Sequence, residues 1–548
     1  MPDDEPKMTK KLTLALGAAA ALALFAGPSF SRPETGLPEY ARIDLKRLEE
    51  TWNILDRFAE RIWPGWKGYQ DVPFRFNYPN GVQMLVGHPS PTDGFEPVPG
   101  VEVRGKKVYL DRRLEIPLEL KPPLSGGGGI IPYGKDRQVQ MVDLHMASVA
   151  PAKLKAGEGP AAGDKAPPLP PFTSESQILV NIHEIFHCFQ GTVYHYRYGN
   201  LQFNTDANYA TYAEVEGLAL ENAYLEPEDG AVRNALKDFL AARMLKRKSM
   251  TELEQNQESE DDLMEGTAVY AETRALELIK QGYGPLISAA DDTSFDGFRA
   301  VDRYLKDKLD MLKNSRSVTM DSRGKCYPFG CFQAILLTKL FPGWQATFFQ
   351  DGKLLDQVLE ARLALTGAEK QAATAGLKDR YPLGEISSRH GQLIRERDRA
   401  LDMIGKRKGR VYIINFKPLL EYVIPKGRGE SYKLGLVSIF PEGVESVEVQ
   451  DVVFRGEKTP MIWDQLYYAK WVDPKTRARG KGYTLNFSRK EGEDIYDDAE
   501  FKTAGFVLRA PKIQLLELKG FVKITVLAKL RPAGPPSPDR GGDAVPRR

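Results

Sequence analysis

Residues Ser174 to Gln190 read Ser-Glu-Ser-Gln-Ile-Leu-Val-Asn-Ile-His-Glu-Ile-Phe-His-Cys-Phe-Gln. The apolar members Ile178, Leu179, Ile182, Ile185, Phe186 and Phe189 recur at helical spacing, and Ser174 with Gln177 three residues on makes a capping box that opens the helix. His183 and His187 are four residues apart, so both imidazoles stand on one helix face, one turn apart. A single rigid element can then hold a zinc ion at about 2.0–2.1 Å from each ring nitrogen. Glu184, beside the first histidine, is placed to take a proton from a water activated by the metal.

A catalytic zinc site keeps one position open and takes a third protein ligand. Two downstream Glu-Gly-x-Ala segments offer one: Glu216-Gly217-Leu218-Ala219 and Glu265-Gly266-Thr267-Ala268. Glycine after the glutamate lets its helix approach the histidine helix closely, which offsets its cost of about 1 kcal/mol inside a helix. If the helices run up and down, turns near Leu201, Glu228 and Leu253 bring both glutamates level with His187. One would be the ligand and the other a partner orienting a histidine. Tyr209, Tyr212, Ala213, Ala219, Leu220 and Ala223 share a face with Glu216, so its carboxylate is expected to be buried, with a structural salt bridge as the bland alternative. Glu265 lies near Asp261, Asp262 and Glu272, and its bland alternative is a solvated acidic face.

Outward from this centre, the expected fold class is α+β. Residues 32–149 read as a mixed α/β region, with a helix over Tyr40 to Ile62 and strands within Val72 to Tyr78, Val82 to Val86, Val101 to Val103, Lys107 to Leu110 and Gln138 to Val149. Gly126 to Gly129 reads as a flexible loop. Residues 150–171, rich in Pro, Ala and Gly, form a linker or long loop. Residues 172–405 form a helical zinc-binding domain, and 409–530 a β-rich domain for which a sandwich is one available form. Residues 531–548 are Pro, Gly and charge, the composition of a disordered tail.

The chain has 548 residues, with 76 Lys and Arg against 74 Asp and Glu. That balance, with no aromatic and basic interleaving, excludes nucleic acid as the expected partner. Lys10 and Lys11 precede an apolar run, Leu12 to Ala26, and then Gly27-Pro28 and Ser29-Phe30-Ser31. This is the pattern of a signal peptide over 1–31, so the chain is expected to be secreted or periplasmic, with no membrane span apart from that segment. Cys326 and Cys331 could close a small loop, while Cys188 reads as a buried thiol.

The chain resembles the gluzincin-type zinc metallopeptidases, and among them uncharacterised secreted HExxH proteins of bacterial type. The resemblance rests on Trp-Pro-Gly-Trp at 63–66, Val-Gly-His-Pro at 86–89 and His-Glu-Ile-Phe-His-Cys-Phe-Gln at 183–190. It continues through Glu-Val-Glu-Gly-Leu-Ala-Leu at 214–220, Met-Glu-Gly-Thr-Ala-Val-Tyr-Ala-Glu at 264–272, and Tyr327 to Trp344. The resemblance implies a glutamate as third ligand. Glu265, followed by Tyr270, is similar to the extended Glu-Gly-x-Ala-x-Tyr form, whereas Glu216 has the usual short spacing, and neither is preceded by the customary Asn. It also implies a Tyr or His that stabilises an oxyanion, for which Tyr327 is the candidate. His88 and His145 are expected to be structural, and Gln190 to serve packing or hydrogen bonding. The function so implied is zinc-dependent hydrolysis of peptide or protein with Glu184 as general base. Its rivals are a secreted binding protein with a structural or vestigial zinc site, and a zinc hydrolase of non-peptide esters or amides.

Overall fold

The computed structural model describes residues 36–527 apart from 79, 92–93, 114–127, 134–138, 147–172, 197–205, 289, 293, 317–321, 407–409, 417–425, 430, 435–436, 450–451, 457, 459, 465–467, 473–482, 493 and 519–520. The expected signal segment, the 150–171 linker and the 531–548 tail lie outside the described residues. Helix α1 (Glu39–Ile62) buries Ala41, Leu45, Leu48, Trp52, Leu55, Ala59 and Ile62 at steps of three and four residues, the stripe that lets a helix seal one face of a core. It ends where Trp63 turns extended and Gly65 takes a φ of 79°.

Six short strands follow: β1 (Phe74–Asn77), β2 (Gln83–Val86), β3 (Glu96–Val103), β4 (Lys106–Asp111), β5 (Ile130–Tyr133) and β6 (Val139–His145). They form one sheet in the order β3-β4-β2-β1-β6-β5. Neighbours are antiparallel except β1 and β6, which run parallel. Strand β5 was not foreseen. It is four residues long, contains Pro132 and follows a glycine run, so neither length nor alternation marks it. As an edge strand it tolerates the proline, which has no N–H to give to a ladder.

The helical region comprises α2 (Ser174–Val193), α3 (Ala207–Leu225), α4 (Asp229–Arg247), α5 (Glu252–Lys280), α6 (Val301–Asn314), α7 (Ser322–Leu340), α8 (Gln345–Asp351), α9 (Leu355–Leu363), α10 (Gly367–Arg380) and α11 (Leu383–Lys406). The cap of α2 is Thr173, whose hydroxyl accepts from the Ser176 amide, one residue earlier than expected. The Ser174 hydroxyl is instead bonded to Asp292 and Ser294. Helix α2 packs on α1, on α5 and on the β5–β6 end of the sheet, and one apolar core from Leu37 to Ile386 joins sheet and helices.

The closest helix approach is α5 on α7. A Cβ at Gly330 would lie 1.9 Å from the Asp262 carbonyl oxygen, and one at Gly266 would lie 2.3 Å from the Gly330 Cα. Gly266 thus admits α7 and not the histidine helix, a correction to the role expected of it. Helix α7 runs unbroken through Cys326, Pro328 and Cys331, and all three cysteines are free and buried. The small loop expected between Cys326 and Cys331 does not form.

Beyond Arg410 the strands hydrogen-bond into one sheet of thirteen, whose longest member is Phe506–Leu518. In its strand order, Val452–Gly456 and Met461–Asp464 are five steps apart, or about 24 Å in a flat sheet. Yet the Phe416 ring lies 6.2 Å from Phe454 and 5.5 Å from Trp463. The sheet therefore folds over itself around a second core, from Tyr412 to Val526. The architecture is α+β, with a mixed N-terminal region, a helical centre carrying the His-Glu-x-x-His helix and a β-rich C-terminal region. Among the described residues no helix is long and apolar enough to cross a membrane.

Candidate metal centre

Helix α2 is buried along almost its whole length, because α1, α5 and the sheet cover it. Buried imidazoles need partners, and each ring has one. The Nδ1 of His183 lies 2.7 Å from Glu272 Oε1, and that of His187 lies 2.6 Å from Gln190 Oε1. A carboxylate only accepts, so His183 carries its proton on Nδ1. The Gln190 amide nitrogen donates to the Met264 carbonyl at 2.9 Å and to Thr267 Oγ1 at 2.7 Å, which turns its oxygen toward His187. His187 therefore carries its proton on Nδ1 as well.

With Nδ1 so engaged, both Nε2 atoms point into the centre and face each other 3.0 Å apart. The Glu265 Oε2 closes the triangle at 3.5 Å from His183 and 3.3 Å from His187. Three electron pairs so close repel unless a proton or a cation lies among them. Atoms on adjacent corners of a tetrahedron around zinc would be about 3.3 Å apart for bonds of 2.0–2.1 Å, and the observed edges bracket that value. Among the described residues this is the one group of three such side chains able to hold a metal ion.

The electrostatics of the cluster favour positive charge. Burial works against a protonated His183, but Glu265 and Glu272 outweigh it and push its pKa up to about 10. Burial likewise opposes a charged Glu265, and the two imidazoles reverse that, holding its carboxyl well below the usual range. Each of the two carboxylates has its own cation. Glu272 Oε2 is paired with Lys308 from α6, and Glu265 Oε1 with Arg323 from α7 at 3.1 Å.

Glu184 has the chemistry of a base. It is buried, burial raises its pKa, and among the described residues its Oε2 has no hydrogen-bond partner. Gly128 lies directly against it. A Cβ there would lie 2.7 Å from Glu184 Oε1, so only glycine lets the chain leading into β5 pass so close. Tyr327 lies against His183, its ring 6.2 Å from that of His183 and inclined by 14°. Its hydroxyl is kept protonated by burial and by the adjoining Glu265 charge.

Glu216 is not part of the cluster, neither as ligand nor as a partner of either histidine. It is fully buried and bonded to Lys246 at 2.6 Å and to Arg243 at 3.4 Å, the salt bridge given as its bland alternative. The cause is lateral. Helix α3 packs on α4 and α7, while α2 packs on α1 and α5, and equal height along the helices does not make neighbours. His88 is buried, with its Nδ1 accepting from the Ser90 amide at 3.1 Å, and His145 is exposed at the end of β6.

Sequence reasoning did not assign roles to Glu272, Lys308, Arg323 or Gly128. Of these, Glu272 left a signal, since it stands two helical turns beyond Glu265 on α5 and so shares its face. Compared with known protein families, with curated proteins and with solved structures, the chain has no match.

Proposed function

We propose that this chain is a zinc-dependent peptidase of gluzincin type, exported through its N-terminal segment, in which His183, His187 and Glu265 hold the metal and Glu184 is the general base. The observation that carries this reading is the two Nε2 atoms and the Glu265 oxygen converging beside a buried Glu184 oxygen that has no partner among the described residues. A zinc ion bound there would polarise a carbonyl and acidify a water. Glu184 accepts the proton of the attacking water and passes it to the leaving amine. Tyr327 donates its hydroxyl hydrogen to the oxygen on which charge develops. Glu272 and Gln190 hold the imidazoles in one tautomer and orientation.

Peptide is favoured over small esters by the outer edge of β5, which no described strand covers. Asp143 donates its amide to the Gly129 carbonyl at 2.8 Å, and Ile131 stands opposite Met141. Alternation along an antiparallel pair then turns the backbone groups of Ile130 away from β6, free to pair with an extended chain. A purely structural metal site would need neither that edge nor an unpartnered Glu184. The test is metal analysis of the purified chain together with peptide hydrolysis before and after chelation. One zinc per chain, and cleavage lost on chelation and restored by zinc, is the expected result. A metal-free chain, or cleavage indifferent to chelation, refutes the proposal.

A further inference from the structure

Arg323 stands at the edge of the candidate centre and uses little of its hydrogen-bonding capacity. It donates through Nη2 to Glu265 Oε1 at 3.1 Å, and its side chain is 40% exposed whereas that of Glu265 is 12% exposed. Among the described residues Glu265 is the only hydrogen-bonding partner of its guanidinium. Two other arginines in this protein grip a carboxylate with two prongs. Arg75 bonds Asp143 through Nε at 2.7 Å and Nη2 at 2.8 Å, and Arg380 bonds Asp238 through Nε at 2.8 Å and Nη2 at 2.6 Å. The one-pronged contact of Arg323 uses a single hydrogen of Nη2, so one two-donor edge of the planar guanidinium, Nη1 with Nη2 or Nε with Nη2, remains to match a carboxylate.

Its position gives those donors a use. Arg323 and Tyr327 are four residues apart on α7, hence on one face, and Tyr327 lies against His183. Arg323 is also one carboxylate removed from the two Nε2 atoms. An extended peptide advances roughly 3.3–3.6 Å per residue, so one or two residues span that interval.

The geometry points to Arg323 as the residue that selects substrates bearing a carboxylate within one or two residues of the bond broken. This rests on the peptidase function proposed above. The carboxylate is either the free C-terminus of a peptide or an acidic side chain, since Arg323 offers the same fork to both.

The test uses the full, zinc-loaded chain and two pairs of fluorogenic peptides. One pair differs only as Glu against Gln beside the scissile bond, with both ends blocked. The other differs only as a free C-terminal carboxylate against a carboxamide. The wild type is expected to prefer the acidic member of one pair by about 10-fold or more in kcat/KM, mainly through KM, and the pair that shows it identifies the source of the carboxylate. Arg323→Gln is expected to bring that ratio to about 1, and Arg323→Lys to keep part of it. The ratio is the readout because loss of Arg323 also disturbs Glu265 and lowers both rates together. Equal cleavage within both pairs by the wild type, or a preference that survives Arg323→Gln, overturns the inference. If no peptide is cleaved, the hydrolase function fails, and calorimetric titration with the same pairs decides the role of Arg323. Tighter binding of the acidic member that Arg323→Gln abolishes upholds it, and no such difference overturns it.

Discussion

Each imidazole at the centre commits Nδ1 to a fixed acceptor, so the affinity for a metal depends on residues that never touch it. Replacing Glu272 with Gln removes the charge that fixes the His183 tautomer. The variant is expected to bind zinc about 10–100-fold more weakly, measured by competition with a chromogenic chelator. Glu184→Gln is expected to keep its zinc and lose turnover by about 10²–10⁴-fold, as read by metal content and peptide hydrolysis on one sample. Glu175, in the first turn of α2, makes a prediction about pH. Burial, then a hydrogen bond and charge from Asp296, push its pKa up to about 8. The folded state therefore holds a proton that the unfolded state releases at lower pH, so this stability is present below the ordinary glutamate range and is lost as pH rises toward 8. Glu175→Gln keeps the neutral form at every pH. Its melting temperature is expected to gain on the wild type progressively from pH 5 to 8, with a stability difference on the order of 1–2 kcal/mol at the upper end. Parallel pH profiles for the two proteins would contradict this.

At the scale of elements, the packing of α5 on α2 brings Glu265 and Glu272 to the histidines, and the crossing of α5 and α7 sets Tyr327 and Arg323 beside them. That crossing depends on two glycines facing each other. Gly330→Ala puts a methyl group 1.9 Å from the Asp262 carbonyl oxygen, where neither backbone can yield without moving a helix. The expected cost is about 2–4 kcal/mol, seen in chemical denaturation. Weaker zinc binding should accompany it, as Glu265 is carried away from the imidazoles. Gly230, in the first turn of α4, has nothing within 4 Å of its Cβ position. Gly230→Ala is accordingly expected to be neutral or stabilising by up to about 1 kcal/mol, which separates helix propensity from steric contact.

Across the whole molecule, buried charge joins the helices in addition to the apolar core. Glu216 on α3 meets Lys246 and Arg243 on α4. Arg243 reaches Asp262 on α5 at 2.7 Å, and Arg247 reaches Asp356 on α9 at 2.7 Å. Removing one member leaves its partners buried and uncompensated. Glu216→Ala is expected to destabilise the chain by about 3–5 kcal/mol while folded protein retains its zinc. Thermal melting and metal content report the two effects separately, and loss of zinc at unchanged stability would return Glu216 to the metal. The same network explains a helix rich in acidic residues. Glu258, Asp261 and Asp262 on α5 are buried and not solvated, because Lys246, Arg243 and Tyr196 engage them.

The sequence by itself determined what lies within a few residues along one element. The i, i+4 stacking of His183 and His187 follows from helix geometry alone, as do the stripe on α1 and the change from helical to strand periodicity near Gly409. The short strand β5 escaped because the preceding glycine run and Pro132 within it read as loop. Only the tertiary structure decided between Glu216 and Glu265, since the two segments are alike in sequence and level along the helix axes. They differ in lateral position, which is set by which helices can approach most closely, and the Gly266 and Gly330 contact brings α7 onto α5. Arg323, Lys308 and Gly128 reach the centre from elements remote in sequence, and side chains that meet only through packing leave no local pattern to read.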